Sequence, residues 1–378
     1  MESSSRVSTG PAQARDTRID ALRILAMLFI IMHHCIINDF GLQNFLRYDT
    51  PTVELIAPLK VLLILANAFV IVGVNLFFLM SGYCRIRPKV RNLVKLIVKV
   101  YLIFWIIELC GILAGRVDAS RETLIVMLDP FDLYWFIGTY IVLFLTSPLL
   151  NALVEKMDLK LFRIYLVCFF LIFCVYGVLI EDNCLHLNNG YSYLMAACLY
   201  VLGSGLRKFR SDLKLLNFSS GKYLAAYAVF CLATGCLAMV FYRLHRYAAA
   251  WHCYAYNSPL VVLASLALLL AFLNTRREFR PNSALRVLPR STITTYLCHS
   301  TCWLTALRSY PIVWLGSRVG YLVPFLLLPA WAFLIYAVCT VADTVYEKTL
   351  GRLGNALGSL LDRFASAKLA PALRKLLS

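Results

Sequence analysis

Four polar residues interrupt an apolar run near the start of the chain, and their spacing could place chemistry inside a helix. The run RIDALRILAMLFIIMHHCI (18–36) contains Asp20, Arg23, His33 and His34. An α-helix turns about 100° and rises about 1.5 Å per residue, so Arg23 and His34 share one face at a separation of about 16 Å. Asp20 lies within ion-pair reach of Arg23, whereas His33 is directed about 100° away from His34. A histidine can take up and release a proton near neutral pH, which suits it to acid–base or nucleophilic catalysis.

A helix facing lipid would be destabilised by these side chains, so they should face a bundle interior or a water-filled cavity. The spacing also allows a purely structural interpretation. Asp20 and Arg23 would then form an interface pair, and the two histidines would donate hydrogen bonds between helices. The residues alone leave both interpretations open.

The composition is that of a membrane protein. Of the 378 residues 61% are hydrophobic and 15% are charged, against roughly 45–50% apolar and about 25% charged in soluble domains. Repeated apolar runs are long enough to cross ~30 Å of hydrocarbon as helices. We predict an all-α polytopic transmembrane helix bundle with about ten spans. The predicted spans are 19–38, 58–83, 93–114, 133–153, 162–180, 191–206, 222–241, 257–274, 291–308 and 319–341.

The net charge of +17 is distributed in a way that argues against nucleic-acid binding. Most lysines and arginines fall in segments that are cytoplasmic if the N-terminus is inside, and this asymmetry sets orientation. We therefore predict both termini in the cytoplasm, and we call that side the inner face. Three regions are expected: a polar N-terminal tail (1–18), a membrane domain (19–342) and a cytoplasmic tail (343–378). Leucines at helical spacing favour an amphipathic helix on the membrane surface for the last region, with a plain solubilising tail as the alternative.

Several segments together resemble the membrane-bound acyltransferase family 3, integral-membrane O-acyltransferases that modify bacterial surface polysaccharides. Arg23 and His34 are similar to that family's R-x10-H signature, and IDALRILAMLFIIMHH resembles its first span. Three later segments follow in the expected order. They are GVNLFFLMSGY (73–83), YWFIGTYIVLFLTSPLL (134–150) and STITTYLCHS (291–300). The resemblance covers essentially residues 19–342. The pair Ser81 and Gly82 within the first of these segments also favours close helix packing by small residues.

The resemblance implies transfer of an acyl group, usually acetyl, from cytoplasmic acyl-coenzyme A to a hydroxyl of a polysaccharide or lipid-linked sugar outside the cytoplasm. His34 would be the general base or the transient acyl acceptor. Arg23, held by Asp20, would anchor the acyl donor or the geometry of the helix. The family's RxxR pair has no clean counterpart in RIRPKVRNLVK (85–95). The cations expected to bind the donor's phosphates, with their individual roles open, are Arg85, Arg87, Arg91 and Lys95.

The acceptor sugar is expected near Trp135, Tyr296 and His299. Trp135 and its neighbour Tyr134 could stack on a sugar or belong to an interfacial aromatic belt, and His299 could instead be a satisfied interhelical histidine. No metal site, permanently bound cofactor or nucleic-acid partner is expected; the partners would be acyl-coenzyme A, the sugar acceptor and membrane lipids. The expected location is a bacterial plasma (inner) membrane. The alternative function is a glycolipid transporter or flippase without covalent chemistry, although the paired broken helices typical of transporters are not evident.

Overall fold

The computed structural model describes residues 16–50, 55–179, 185–276, 280, 282–364 and 367, apart from the side chains of Asp132 and Cys302. These residues form nineteen α-helices, with short 3-10 and π-helical turns between them and no strand. In chain order the helices are α1 (Thr17–His34), α2 (Leu42–Arg47), α3 (Ala57–Val70), α4 (Gly73–Cys84), α5 (Val90–Leu113), α6 (Arg121–Leu128), α7 (Pro130–Leu133), α8 (Trp135–Lys156), α9 (Leu159–Cys168), α10 (Gly177–Leu179), α11 (Tyr193–Lys208), α12 (Ser220–Arg243), α13 (Tyr247–His252), α14 (Pro259–Leu273), α15 (Ser283–Val287), α16 (Thr292–Ser300), α17 (Cys302–Val319), α18 (Leu322–Thr349) and α19 (Gly351–Phe364).

The all-α bundle predicted from composition is confirmed. Among the described residues, seven helical segments are long and apolar enough to cross a membrane. They are Thr17–Asp39, Ala57–Cys84, Val90–Leu113, Trp135–Lys156, Leu159–Leu179, Ser220–Arg243 and Leu322–Thr349. The other three predicted spans correspond to helices that are shorter, as in α11 and α14, or broken, as in α16 and α17. The count of ten spans and the cytoplasmic location of both termini stay predictions.

Helix α1 lies at the centre of the bundle, where it packs against α3, α4, α14, α16 and α18. Asp16 caps its first turn by accepting a hydrogen bond from the backbone N–H of Arg18 at 3.0 Å, as N-cap aspartates do. Burial acts to raise the pKa of Asp16, but hydrogen bonds from Arg18 outweigh it and the pKa is lowered. Helix α1 continues into a π-helical turn, Cys35–Asp39, a local widening that often accompanies functional sites.

Small residues allow α4 and α11 to approach closely. A Cβ atom added at Gly82 would collide with the backbone carbonyl of Tyr200, and one added at Gly203 would collide with the carbonyl of Leu79. The expectation that Gly82 serves close helix packing is therefore confirmed by the geometry. This tight pair fixes the end of α4 that carries Ser81 beside α1.

The C-terminal region begins without a break in the helix. Helix α18 runs through the predicted boundary at residue 343, and α19 follows after Leu350. Gly351, Gly354 and Gly358 form the buried face of α19, which packs against α5. Leucines of the opposite faces, such as Leu353 and Leu360, are exposed. Helix α19 is therefore amphipathic as far as residue 364, and its place on a membrane surface stays a prediction. Residues 365, 366 and 368–378 lie outside the described part of the chain.

Candidate active site

A cavity of about 230 Å³ lies inside the bundle beside the polar face of α1. Arg23, Met27, Ile30 and His34 all line it, which is the spacing of a single helical face. Its other walls come from α4, α8, the loop before α14 and the start of α16. They include Ser81, Trp135, Phe136, Tyr140, Tyr256, Thr292 and Tyr296. We call this the reaction cavity. The structure thus brings together Arg23 and His34 as their spacing predicts.

A buried acid holds Arg23 at one end of the reaction cavity. Its Nη1 lies 3.3 Å from Oδ1 of Asp20, whose side chain is 2% exposed, whereas the Arg23 side chain is 35% exposed. The pair is separated by three residues on one helix, as the sequence predicts. The guanidinium keeps further donor groups directed to a cavity that it lines, so Arg23 can bind a polar or anionic group there.

His34 is hydrogen-bonded to a second histidine, and the contacts of the pair determine its tautomer. Nδ1 of His299 lies 2.5 Å from the backbone carbonyl oxygen of Thr295. A carbonyl can only accept, so this nitrogen carries the proton and the Nε2 of neutral His299 is an acceptor. Nδ1 of His34 lies 3.0 Å from that Nε2 and is therefore the donor. Neutral His34 is left with an unprotonated Nε2, the atom that a general base or nucleophile requires.

An ion pair between distant parts of the chain contacts the backbone of His299. Arg308 donates two parallel hydrogen bonds of 2.9 Å to the carboxylate of Asp39 and a third, of 2.8 Å, to the backbone carbonyl of His299. Ser309 also donates to Asp39, at 2.6 Å. Asp39 and Arg308 are 6% and 5% exposed. Because a buried bidentate pair restricts both side chains, this contact fixes the π-helical end of α1 against α16 and α17.

The break between α16 and α17 is held by Tyr134. Thr301 has an extended backbone, and its hydroxyl donates to the carbonyl of Leu297 at 2.7 Å. The Tyr134 hydroxyl therefore donates to Thr301 Oγ1, at 2.5 Å. Tyr134 is fully buried, so its suggested role in stacking on a sugar is wrong. Its position is structural: it keeps the end of α16 in place just after His299.

Aromatic rings surround the end of the reaction cavity opposite Arg23. Trp135 lies with its ring centroid 4.7 Å from that of Tyr191 and 6.0 Å from that of Tyr256. Tyr191 is 40% exposed, whereas Tyr256 is buried. Tyr296 lines the same cavity and packs on Phe136. Trp135 and Tyr296 thus lie on the cavity wall, their role in acceptor binding stays a prediction, and Tyr191 adds an exposed ring beside them.

The other predicted residues lie elsewhere. His33 is turned away from the cavity, and its Nδ1 lies 2.7 Å from Oδ1 of Asn67 on α3, so it joins two helices. His299 is 2% exposed and lies behind His34, outside the cavity lining, so direct contact with the acceptor is not supported by its position.

The four cations predicted to bind the donor are not brought together. Arg85 forms an ion pair with Glu155 and donates to Ser204 at 3.0 Å. Arg91 lies against Gly358 of α19, and Arg87 is exposed. Lys95 pairs with Glu347 at 3.5 Å and lines a second cavity. None of the four lines the reaction cavity.

The comparison with known families agrees with this geometry. The model of an acyltransferase domain matches the chain over residues 16–345. The chain belongs to acyltransferase family 3. It is therefore a multi-pass membrane acyltransferase. No curated protein and no solved structure matches it. The matched region includes both histidines of the pair, the Asp39–Arg308 contact and the aromatic end of the cavity.

Sequence reasoning missed Asp39 and Arg308 in this acyltransferase. Each lies at the edge of a predicted apolar span, where charged residues are ordinary. The available signal was that Asp39 and Arg308 carry opposite charges. They lie at the ends of two predicted spans, and each span contains a candidate histidine, His34 or His299. Tyr191 carried no usable signal, because tyrosine and asparagine are common in polar loops.

Proposed function

We propose that this acyltransferase moves an acetyl group from acyl-coenzyme A on the inner side to a hydroxyl of a cell-surface polysaccharide or lipid-linked sugar on the outer side of a bacterial plasma membrane. One observation carries the proposal. Arg23 and His34 line a single cavity, and the hydrogen bond to His299 leaves Nε2 of His34 free to accept a proton. The family assignment favours covalent transfer over the transporter alternative.

The reaction requires a base because a sugar hydroxyl is a weak nucleophile. Nε2 of His34 takes the hydroxyl proton as the oxygen attacks the thioester carbonyl, and the carbon–sulfur bond then breaks. The departing thiolate receives the proton from His34, so free coenzyme A and a sugar ester are the products. His299 keeps the proton of His34 on Nδ1 throughout, the orienting role that a buried aspartate has toward the histidine of a Ser-His-Asp triad.

Arg23 would act at the other end of the cavity. About 16 Å of helix separates it from His34, which suits an extended acyl-donor arm that enters beside Arg23 and presents its thioester to His34. Asp20 orients the guanidinium. The aromatic end of the cavity, with Trp135, Tyr191 and Tyr296, offers flat apolar surfaces on which a sugar ring could lie.

The decisive experiment uses membranes that contain the protein. They are incubated with acetyl-coenzyme A labelled in the acetyl group, together with envelope polysaccharide from cells that lack the gene. We expect ester-linked label in the polysaccharide with the wild-type chain and at least about 100-fold slower labelling with His34→Ala at equal abundance. Transport of a glycolipid without any labelling would contradict the proposal.

A further inference from the structure

A second cavity, of about 640 Å³, lies beside the reaction cavity, between α5, the start of α16 and α18. Six charged residues line it: Lys95, Lys99, Arg290, Asp343, Glu347 and Lys348. We call it the basic groove. Its volume is within the range of about 300–1,000 Å³ that ligand sites occupy, and the proposed chemistry of His34 makes no use of it.

Both acidic residues of the basic groove are paired with lysines. Nζ of Lys99 lies 2.5 Å from Asp343 and 3.1 Å from Glu347, and Lys95 pairs with Glu347 at 3.5 Å. Thr294 also donates to Asp343, at 2.5 Å. The remaining cations, Arg290 and Lys348, are exposed and have no ion pair within the described part of the chain. The groove therefore keeps two cations outside any such ion pair, and the ammonium of Lys95, paired at 3.5 Å, keeps further N–H donors.

A thin wall separates the basic groove from the reaction cavity. Pro289 and Thr292 line the reaction cavity, Arg290 lines the groove, and Ile293 lines both. Ser291, within this wall, is bound to α18 through Thr340 at 2.8 Å. Because Ile293 lines both cavities, the basic groove and the reaction cavity adjoin at this residue.

On the basis of the proposed function, we infer that the basic groove binds the phosphate groups of the acyl donor through Arg290, Lys348 and Lys95, while the thioester arm passes Ile293 into the reaction cavity. Lysine and arginine are the usual protein partners of phosphate, and their hydrogen bonds to it are charge-assisted. The pairing of both acids with lysines removes the repulsion that a polyphosphate would otherwise meet. Of the four cations that the sequence suggested for this role, only Lys95 takes part.

The test removes the two unpaired charges and compares donors with and without phosphates. Arg290→Gln/Lys348→Gln, purified in nanodiscs of neutral lipid, is titrated with radiolabelled acetyl-coenzyme A. We expect Kd to rise about 10- to 100-fold, as the loss of charge-assisted hydrogen bonds predicts, and acetyl transfer from S-acetyl-N-acetylcysteamine, which has no phosphate, to be unchanged. Adenosine 3′,5′-bisphosphate should compete with acetyl-coenzyme A on the wild-type protein and only weakly on the variant.

Lys156→Gln/Lys160→Gln is the matched control, because it removes two exposed cations away from the groove. It should leave Kd unchanged. An unchanged Kd in the Arg290/Lys348 variant, or an equal loss of activity with both donors, would overturn the inference. A difference between variant and wild type that appears only in nanodiscs containing anionic lipid would assign the groove to a lipid headgroup and would also overturn it. If the wild-type chain transfers acetyl from neither donor, it is the proposed function that fails.

Discussion

His34 and His299 lie on helices far apart in the chain, yet Nδ1 of one is 3.0 Å from Nε2 of the other. The carbonyl of Thr295 fixes the proton of His299, and His299 in turn fixes the proton of His34. The consequence is a directional chain of hydrogen bonds that ends at an unprotonated nitrogen beside the reaction cavity. A histidine on an isolated helix would exchange between two tautomers, and only one of them has a base at Nε2.

Replacement of His34 tests the proposed base. His34→Ala should lower the rate of acyl transfer about 10²- to 10⁴-fold, the usual contribution of a general base, at unchanged abundance in the membrane. His33→Gln is the control, because glutamine can keep a hydrogen bond to Asn67. Its rate should stay near that of wild type, and an equal loss in both variants would attribute the effect to packing of α1.

Replacement of His299 separates positioning from acceptor binding. His299→Phe keeps a buried ring but removes the acceptor for Nδ1 of His34, so kcat should fall, by up to about 10⁴-fold if the tautomer is lost. The KM values for donor and acceptor should change little, since His299 lies outside the cavity lining. A raised acceptor KM with an unchanged kcat would instead restore the sequence-based role of His299 in sugar binding.

The site residues on α1 could be predicted from the sequence, whereas the contacts of α1 with α16 and α17 could not, for a physical reason. Arg23, His34 and Asp20 lie on one helix, whose constant 100° step determines which residues share a face. The contacts of His34 with His299 and of Asp39 with Arg308 join segments more than 260 residues apart, which helical periodicity does not address. The π-helical turn at Cys35–Asp39 also directs Asp39 to a different side from the one it would face on a regular α-helix. The predicted donor cations do not cluster, since Arg85 pairs with Glu155 of α8 and Lys95 with Glu347 of α18.

The Asp39–Arg308 pair should be a major determinant of stability. Removal of one partner leaves a buried, unpaired charge, which costs about 3–5 kcal/mol. Asp39→Ala and Arg308→Ala should therefore each lower the midpoint of thermal unfolding in detergent. The double variant should be less destabilised than the sum of the two, because it contains no uncompensated charge. Strict additivity in this double-mutant cycle would show that the two side chains do not interact.

Trp135 offers a test of the acceptor end of the cavity. Trp135→Ala removes the ring that packs on Tyr191 and Tyr256, so the KM for the polysaccharide should rise from a few-fold to about tenfold, in line with aromatic contacts of about 0.5–1.5 kcal/mol. Trp135→Phe should recover most of the loss. The KM for acetyl-coenzyme A should stay the same in both variants, and a parallel rise in it would mean that Trp135 shapes the whole cavity.

A change in the contact between α4 and α11 should lower activity, although Gly82 does not itself line the reaction cavity. Gly82→Ala would press a methyl group into the carbonyl of Tyr200, a backbone atom that yields only if the two helices separate. Overpacking of this kind costs about 1–3 kcal/mol, so both the unfolding temperature and the membrane abundance should fall.

Gly221→Ala is the matched control, because nothing lies near its Cβ position and alanine favours a helix by up to about 1 kcal/mol. Since Ser81, adjacent to Gly82, lines the reaction cavity, separation of the helices should also lower transfer per folded molecule. A Gly82→Ala protein as stable and active as the Gly221→Ala protein would show that α4 and α11 do not pack this closely.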